Sequence, residues 1–217
     1  MLLWVLSLLA VAPTPPTVAV LYFDYEGKSE ELSILQKGLT QMLISDLAGS
    51  NRYQVVERSK LESLMSEMKL QRTIPMDTST RARLGKLLGA RYLVLGSYFD
   101  FAGSLRVDSR VVEVETGKVI FSTGASAMPD SFLELEQKLS LRLRNELEGS
   151  SEIKSAEPQR ARPRGKRLEM KTALRVSRAL DAADQKDEAA AKKELLAVKA
   201  EQPDFPLATL DLASLIE

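Results

Sequence analysis

Three groups of side chains in this sequence have types and spacings that could do chemistry. Asp24 and Glu26 follow an apolar run, Asp100 and Asp108 flank a turn, and Gly85, Gly89 and Gly96 punctuate a leucine-rich stretch. Carboxylates after a first strand stand where α/β folds often place ligand groups, two aspartates could share a metal, and glycines could cradle a phosphate. Each group also has a plainer reading. No glycine-rich phosphate loop accompanies Asp24 and Glu26, so a loop-capping role is expected for them. The glycines sit within and after a helix ahead of a strand, the reverse of a dinucleotide fingerprint, so close helix packing and a helix cap account for them. Aspartates beside a turn are usually solvated edges. The chain has no histidine and no cysteine, which removes the usual general base, the commonest metal ligand, thiol nucleophiles and disulfides. With no visible pair of nucleophile and base, the expectation is a protein that is not an enzyme and takes no cofactor or metal.

The elements that would position these residues centre on Leu84 to Ser97. Leu84, Leu87 and Leu88 share a helical face, Gly89 occupies the place of a left-handed cap, and Tyr92 to Leu95 form a run apolar enough for a central strand. Before it, Thr17 to Phe23 reads as a buried strand, Leu32 to Leu47 as an amphipathic helix, and Tyr53 to Val56 as a short strand. Ser59 with Glu62 has the form of a capping box opening a helix whose stripe is Leu61, Leu64, Met65 and Met68, and Asp77 or Thr78 can cap the next. Strands alternating with helices imply parallel pairing. After Arg91 the pattern changes. Arg91 to Phe99, Leu105 to Val114 and Lys118 to Ser122, joined at Gly103 and Thr116-Gly117, predict an antiparallel meander, and Ser131 with Glu134 caps a last helix carrying Phe132, Leu135, Leu139, Leu143 and Leu147. The predicted fold class is α/β: a mixed parallel and antiparallel sheet of about five strands packed with helices, followed by a small helical hairpin.

The ends of the chain differ in composition from this core. Residues 1–16 read as an apolar secretory signal ending in Ala10-Val11-Ala12 and a proline-rich spacer, with a short buried N-terminal segment as the alternative. Residues 17–148 form the α/β domain. Residues 149–167 are a basic linker holding Lys154, Arg160, Arg162, Arg164 and Lys166, which reads as flexible. Residues 168–217 read as two helices resembling one tetratricopeptide unit, or as a plain alanine-rich hairpin. A lone unit leaves an apolar face uncovered, so it must dock on the first domain, pair with a copy, or bind a partner helix. Thirty basic residues balance thirty acidic ones, so no global field draws nucleic acid.

The strings VAVLYFDYEG, GLTQMLISDL, YQVVERSKLESLMSEMKL and ARLGKLLGARYLVLGSYFDFAGSLRVDSRVVEVETGKVI resemble the periplasmic domain of the curli secretion component CsgG and its relatives. That wider group includes the flagellar protein FlgO, the N-terminal domain of TolB, and lipoprotein activators of penicillin-binding proteins. The resemblance implies a periplasmic or cell-envelope location and a non-enzymatic role in assembly or secretion at the outer membrane. The alternative it implies is a regulatory adaptor that activates a cell-wall synthase. Envelope proteins, including outer-membrane or secretion components, are the implied partners, together with other copies of this chain, and no small-molecule substrate is expected. Two departures matter. The turns at 100–104 and 115–118 leave no room for inserted membrane strands of about nine to eleven residues, and no cysteine is present to carry a lipid, so no transmembrane barrel is expected of this chain. The surface expected to meet a partner is the helix from Ser59 to Leu70 with the loop after it, on Met65, Leu70, Arg72, Ile74 and Met76, because apolar groups in a loop and an adaptable methionine suit a contact.

Overall fold

The computed structural model describes residues 14–70, 76–149, 170–203, 205 and 212–213. Three strands come from the first half of the chain: β1 (Thr17–Val20), β2 (Asp24–Tyr25) and β3 (Gln54–Val55). The other three are β4 (Tyr92–Phe101), β5 (Ser104–Glu113) and β6 (Val119–Ala127). They form one six-stranded sheet in the order β3-β1-β4-β5-β6, with β2 pairing on β4 beyond the end of β1. β1, β2 and β3 pair in parallel, and β4 to β6 form the antiparallel meander. β4 is therefore central, and Leu93, Val94 and Leu95 are buried within it.

The strand expected over Thr17 to Phe23 is divided. Val20 pairs with Val94 and Asp24 with Ser97, so the first segment has one residue more than β4 between those pairs. The extra residue breaks the ladder while Leu21, Tyr22 and Phe23 stay buried.

The helices are α1 (Glu30–Ser33), α2 (Leu35–Leu47), α3 (Arg58–Glu67), α4 (Thr78–Leu87), α5 (Phe132–Leu147), α6 (Met170–Asp184) and α7 (Glu188–Glu201). Alternate strand residues face two cores. On one side Val18, Val20, Val94, Tyr98, Val107 and Val111 meet α2 and α5, with α6 stacked on α2. On the other, Ala19, Leu21, Leu93 and Leu95 meet Leu61 and Met65 of α3, Leu84 of α4 and Leu88 just after it. The expected single helix from Leu32 is two, α1 and α2. Tyr98 holds their junction: its hydroxyl donates to Leu32 O at 2.7 Å and accepts from Gln36 N at 3.1 Å.

Helix ends follow local chemistry in part. Asp77 caps α4 by accepting from Thr80 N at 2.8 Å, and hydrogen bonds from Ser79 and Thr80 hold its carboxyl down at about 2. Gly89, at φ +67°, closes α4: Gly89 N–H reaches Lys86 O and Ala90 N–H reaches Gly85 O. The capping boxes expected at Ser59–Glu62 and Ser131–Glu134 do not form. Arg58 already lies in α3, which puts Ser59 inside the helix, and a 3-10 turn at Pro129–Ser131 leads into α5 without a side-chain cap.

Candidate functional site

A buried polar cluster lies where α6 crosses α2 and the start of α3. Lys37, in the first turn of α2, is only 2% exposed. Its ammonium donates to Asp181 Oδ1 and Asp184 Oδ2, each at 2.6 Å, from the last turn of α6. Three residues apart on a helix, these aspartates share a face and can converge on one cation. Arg58, the first residue of α3, forks onto Asp184, with Nη1 to Oδ2 at 2.8 Å and Nη2 to Oδ1 at 2.9 Å. Arg58 also donates to Tyr22 Oη, whose hydroxyl donates to Glu62 Oε2 at 2.6 Å. Burial pushes the Asp184 carboxyl up, but the hydrogen bonds from Arg58 and Lys37 outweigh it and hold it below the usual range. Burial pushes the Tyr22 hydroxyl well above its ordinary value, so it stays a donor.

The cluster binds three elements together. Every carboxylate in it is engaged, and a buried charge is tolerated only with such partners. Beside it the Gly38 N–H donates to Ser177 Oγ at 3.1 Å, and Ser177 donates to Ala173 O at 2.8 Å. A Cβ on Gly38 would overlap the Ser177 hydroxyl and stand 3.1 Å from Ala173 O, so glycine lets the two helices touch. Of the three ways open to the C-terminal helical pair, docking on the first domain is the one observed.

A cleft of about 580 Å³ opens beside this cluster, lined in part by Glu30, Ile34, Glu62, Met65, Leu70 and Asp181. It contains two of the residues expected to meet a partner, but Met65 is 2% exposed and packs with Leu61 one turn earlier in the second core. The helical phase turns Met65 inward and leaves Leu64 and Met68 half-buried beside it. Met65 is thus a core residue, where an exposed contact residue was expected. Leu70 and Met76 are half-buried against the same core. Arg72 and Ile74 lie outside the described residues.

The carboxylates considered from sequence are separately engaged. Asp24 is not a loop cap: it pairs with Arg81 Nη2 of α4 at 2.9 Å. Burial raises its carboxyl, the nearby Arg81 opposes that, and Glu26 adds to the rise. Asp100 accepts from the Tyr25 hydroxyl, and Asp108 is forked by Arg106 at 2.6 to 3.1 Å. Asp24, Glu26 and Asp108 border an outer-face cleft of about 480 Å³ with Arg106 and Arg110. Gly85 packs close, as expected: a Cβ there would stand 2.9 Å from Val114 and 3.1 Å from Leu93.

Sequence reasoning missed Lys37, Arg58, Asp181 and Asp184. The faint signals were a lysine amid the apolar positions of α2 and an aspartate pair on an alanine-rich helix. Their separations of 126 to 147 residues conceal the pairing.

Residues 15–106 match the model of the family described as curli production assembly/transport component CsgG. No curated protein matches the chain. Among solved structures it is similar to the LpoB C-terminal domain from Salmonella enterica, at 15% identity and TM-score 0.44, covering 54% of this chain and 85% of that one. It is also similar to the PelC dodecamer from Paraburkholderia phytofirmans, at 12% identity and TM-score 0.38, covering 62% and 88%. TolB from Acinetobacter baumannii is similar at 14% identity and TM-score 0.42, covering 63% of this chain and 29% of that one. The match of residues 15–106, which runs from ahead of β1 into β5, makes this part of the chain similar to the CsgG family.

Proposed function

We propose that this chain is an exported cell-envelope protein that acts without catalysis, through protein contacts, in assembly or secretion at the outer membrane. The observation that carries the reading is the match of residues 15–106 to a curli production assembly/transport component. The apolar N-terminal run followed by prolines supports export. The buried charge cluster supports contact chemistry in place of turnover, because its cations and carboxylates hold one another. No helix among the described residues is long and apolar enough to cross a membrane.

The test is fractionation of a Gram-negative host expressing the tagged chain, followed by crosslinking in intact cells. Recovery from the periplasm or envelope, crosslinked to outer-membrane or secretion components, is the expected result. A chain retained in the cytosol overturns it. Crosslinking of a single copy to a cell-wall synthase would replace assembly with synthase activation.

A further inference from the structure

β6 lies at the edge of the sheet, with β5 on one side. Its nine residues, VIFSTGASA, contain no charge and no proline. Edge strands that remain single usually carry a lysine, an inward charge or a proline, or are very short, because free N–H and C=O groups template pairing. β3, at the opposite edge, is only Gln54–Val55. β6 has a register shift opposite Val111 and Val112, which leaves the stretch from Phe121 to Ala127 regular.

The direction of the backbone groups follows from one contact. Gly124 turns its carbonyl away from β5, toward Arg142 Nη1 at 2.8 Å. The alternation of an antiparallel strand then turns the N–H and C=O of Ser122 and Ser126 outward as well. Small side chains at all three positions let another backbone approach. What that backbone is can be read from the ends of the strand. Ile120 and Met128 are 43% and 53% exposed, and each stands four residues from Gly124. An antiparallel copy centred on Gly124 sets each Ile120 opposite the other chain's Met128 and each Ser122 opposite Ser126. No like charges meet along the strand.

We propose that β6 pairs antiparallel with β6 of a second copy of this chain, joining two sheets across a two-fold axis at Gly124. Arg142 guards the Gly124 carbonyl in the single chain and yields it to the second copy's Gly124 N–H. The inference rests on the reading of this chain as a protein that works by contacts, and deepens it.

The absence of cysteine makes the test clean. In this register, positions 122 and 126 of different copies face each other with Cα atoms about 5.5 Å apart, within disulfide reach. Mild oxidation of the full chain carrying Ser122→Cys and Ser126→Cys should give a disulfide-linked dimer, while either single variant gives at least tenfold less. Ser122→Pro removes an outward N–H only, so it should sediment as a monomer at concentrations where the parent sediments as a dimer. A parent that stays monomeric over the concentration series overturns the pairing, as do single variants that crosslink as well as the double. Envelope location, read by fractionation, separates that failure from failure of the functional reading.

Discussion

Lys37 Nζ lies 2.6 Å from Asp184 Oδ2, joining the first turn of α2 to the last turn of α6, 147 residues later. Arg58 grips the same carboxylate from a different element, so Asp184 is the point at which α2, α3 and α6 meet. A buried ion pair contributes little net stability against an apolar replacement, but removing one member leaves the others uncompensated.

Asp184→Asn is accordingly expected to destabilise the chain by about 3 kcal/mol, the scale for breaking a buried pair. Urea denaturation with matched slopes measures it. A change under about 0.5 kcal/mol, the scale of an ordinary surface substitution, would show that Asp181 alone suffices for Lys37.

The same carboxylate gives a pH dependence of known sign. Its folded value is depressed, so its contribution is fully present above the unfolded aspartate value, near about 4, and is lost as pH falls through the lower folded value. The stability gap between parent and Asp184→Asn should stay flat from about pH 7 to pH 5 and close below about pH 4. A gap that instead widens on acidification would contradict the depressed value.

Gly38→Ala should destabilise by about 1 to 3 kcal/mol despite the better helix propensity of alanine, because the new methyl overlaps Ser177. Adding Ser177→Gly should recover part of the loss. Thermal melts of the two variants decide it, and a melting temperature raised by Gly38→Ala alone would mean that α6 is not seated on α2.

Tyr98→Phe removes the hydroxyl that serves both sides of the α1–α2 junction in a fully buried position. A loss of about 1 to 3 kcal/mol is expected, since Leu32 O and Gln36 N–H lose a partner. Faster amide exchange at Gln36 in the variant would locate the effect.

Gly89→Ala tests the cap without confusion from packing. A Cβ at Gly89 meets nothing within 4 Å, so only the positive φ opposes the change. The cost should be about 1 kcal/mol, with asparagine costing less. An unchanged denaturation midpoint would count against the left-handed cap.

The sequence by itself determined the features that depend on near neighbours. The apolar run at Tyr92 to Leu95 placed the central strand, the alternation from Leu105 to Val111 gave β5 one buried face, and Asp77 and Gly89 marked both ends of α4, because caps and periodicities involve residues a few positions apart. Even locally, Met65 shows a limit: Leu61, Leu64, Met65 and Met68 all fit an apolar stripe, and only the docking angle of α3 decides which of them is sealed. Tertiary structure alone decided the rest. Whether the C-terminal helical pair would dock, self-associate or wait for a partner depended on Lys37 meeting Asp181 and Asp184, and on Gly38 admitting Ser177. Those contacts join residues more than a hundred positions apart. Pairwise electrostatics and steric fit at such separations leave no periodicity in the chain, since nothing but the completed fold brings the groups within hydrogen-bonding distance.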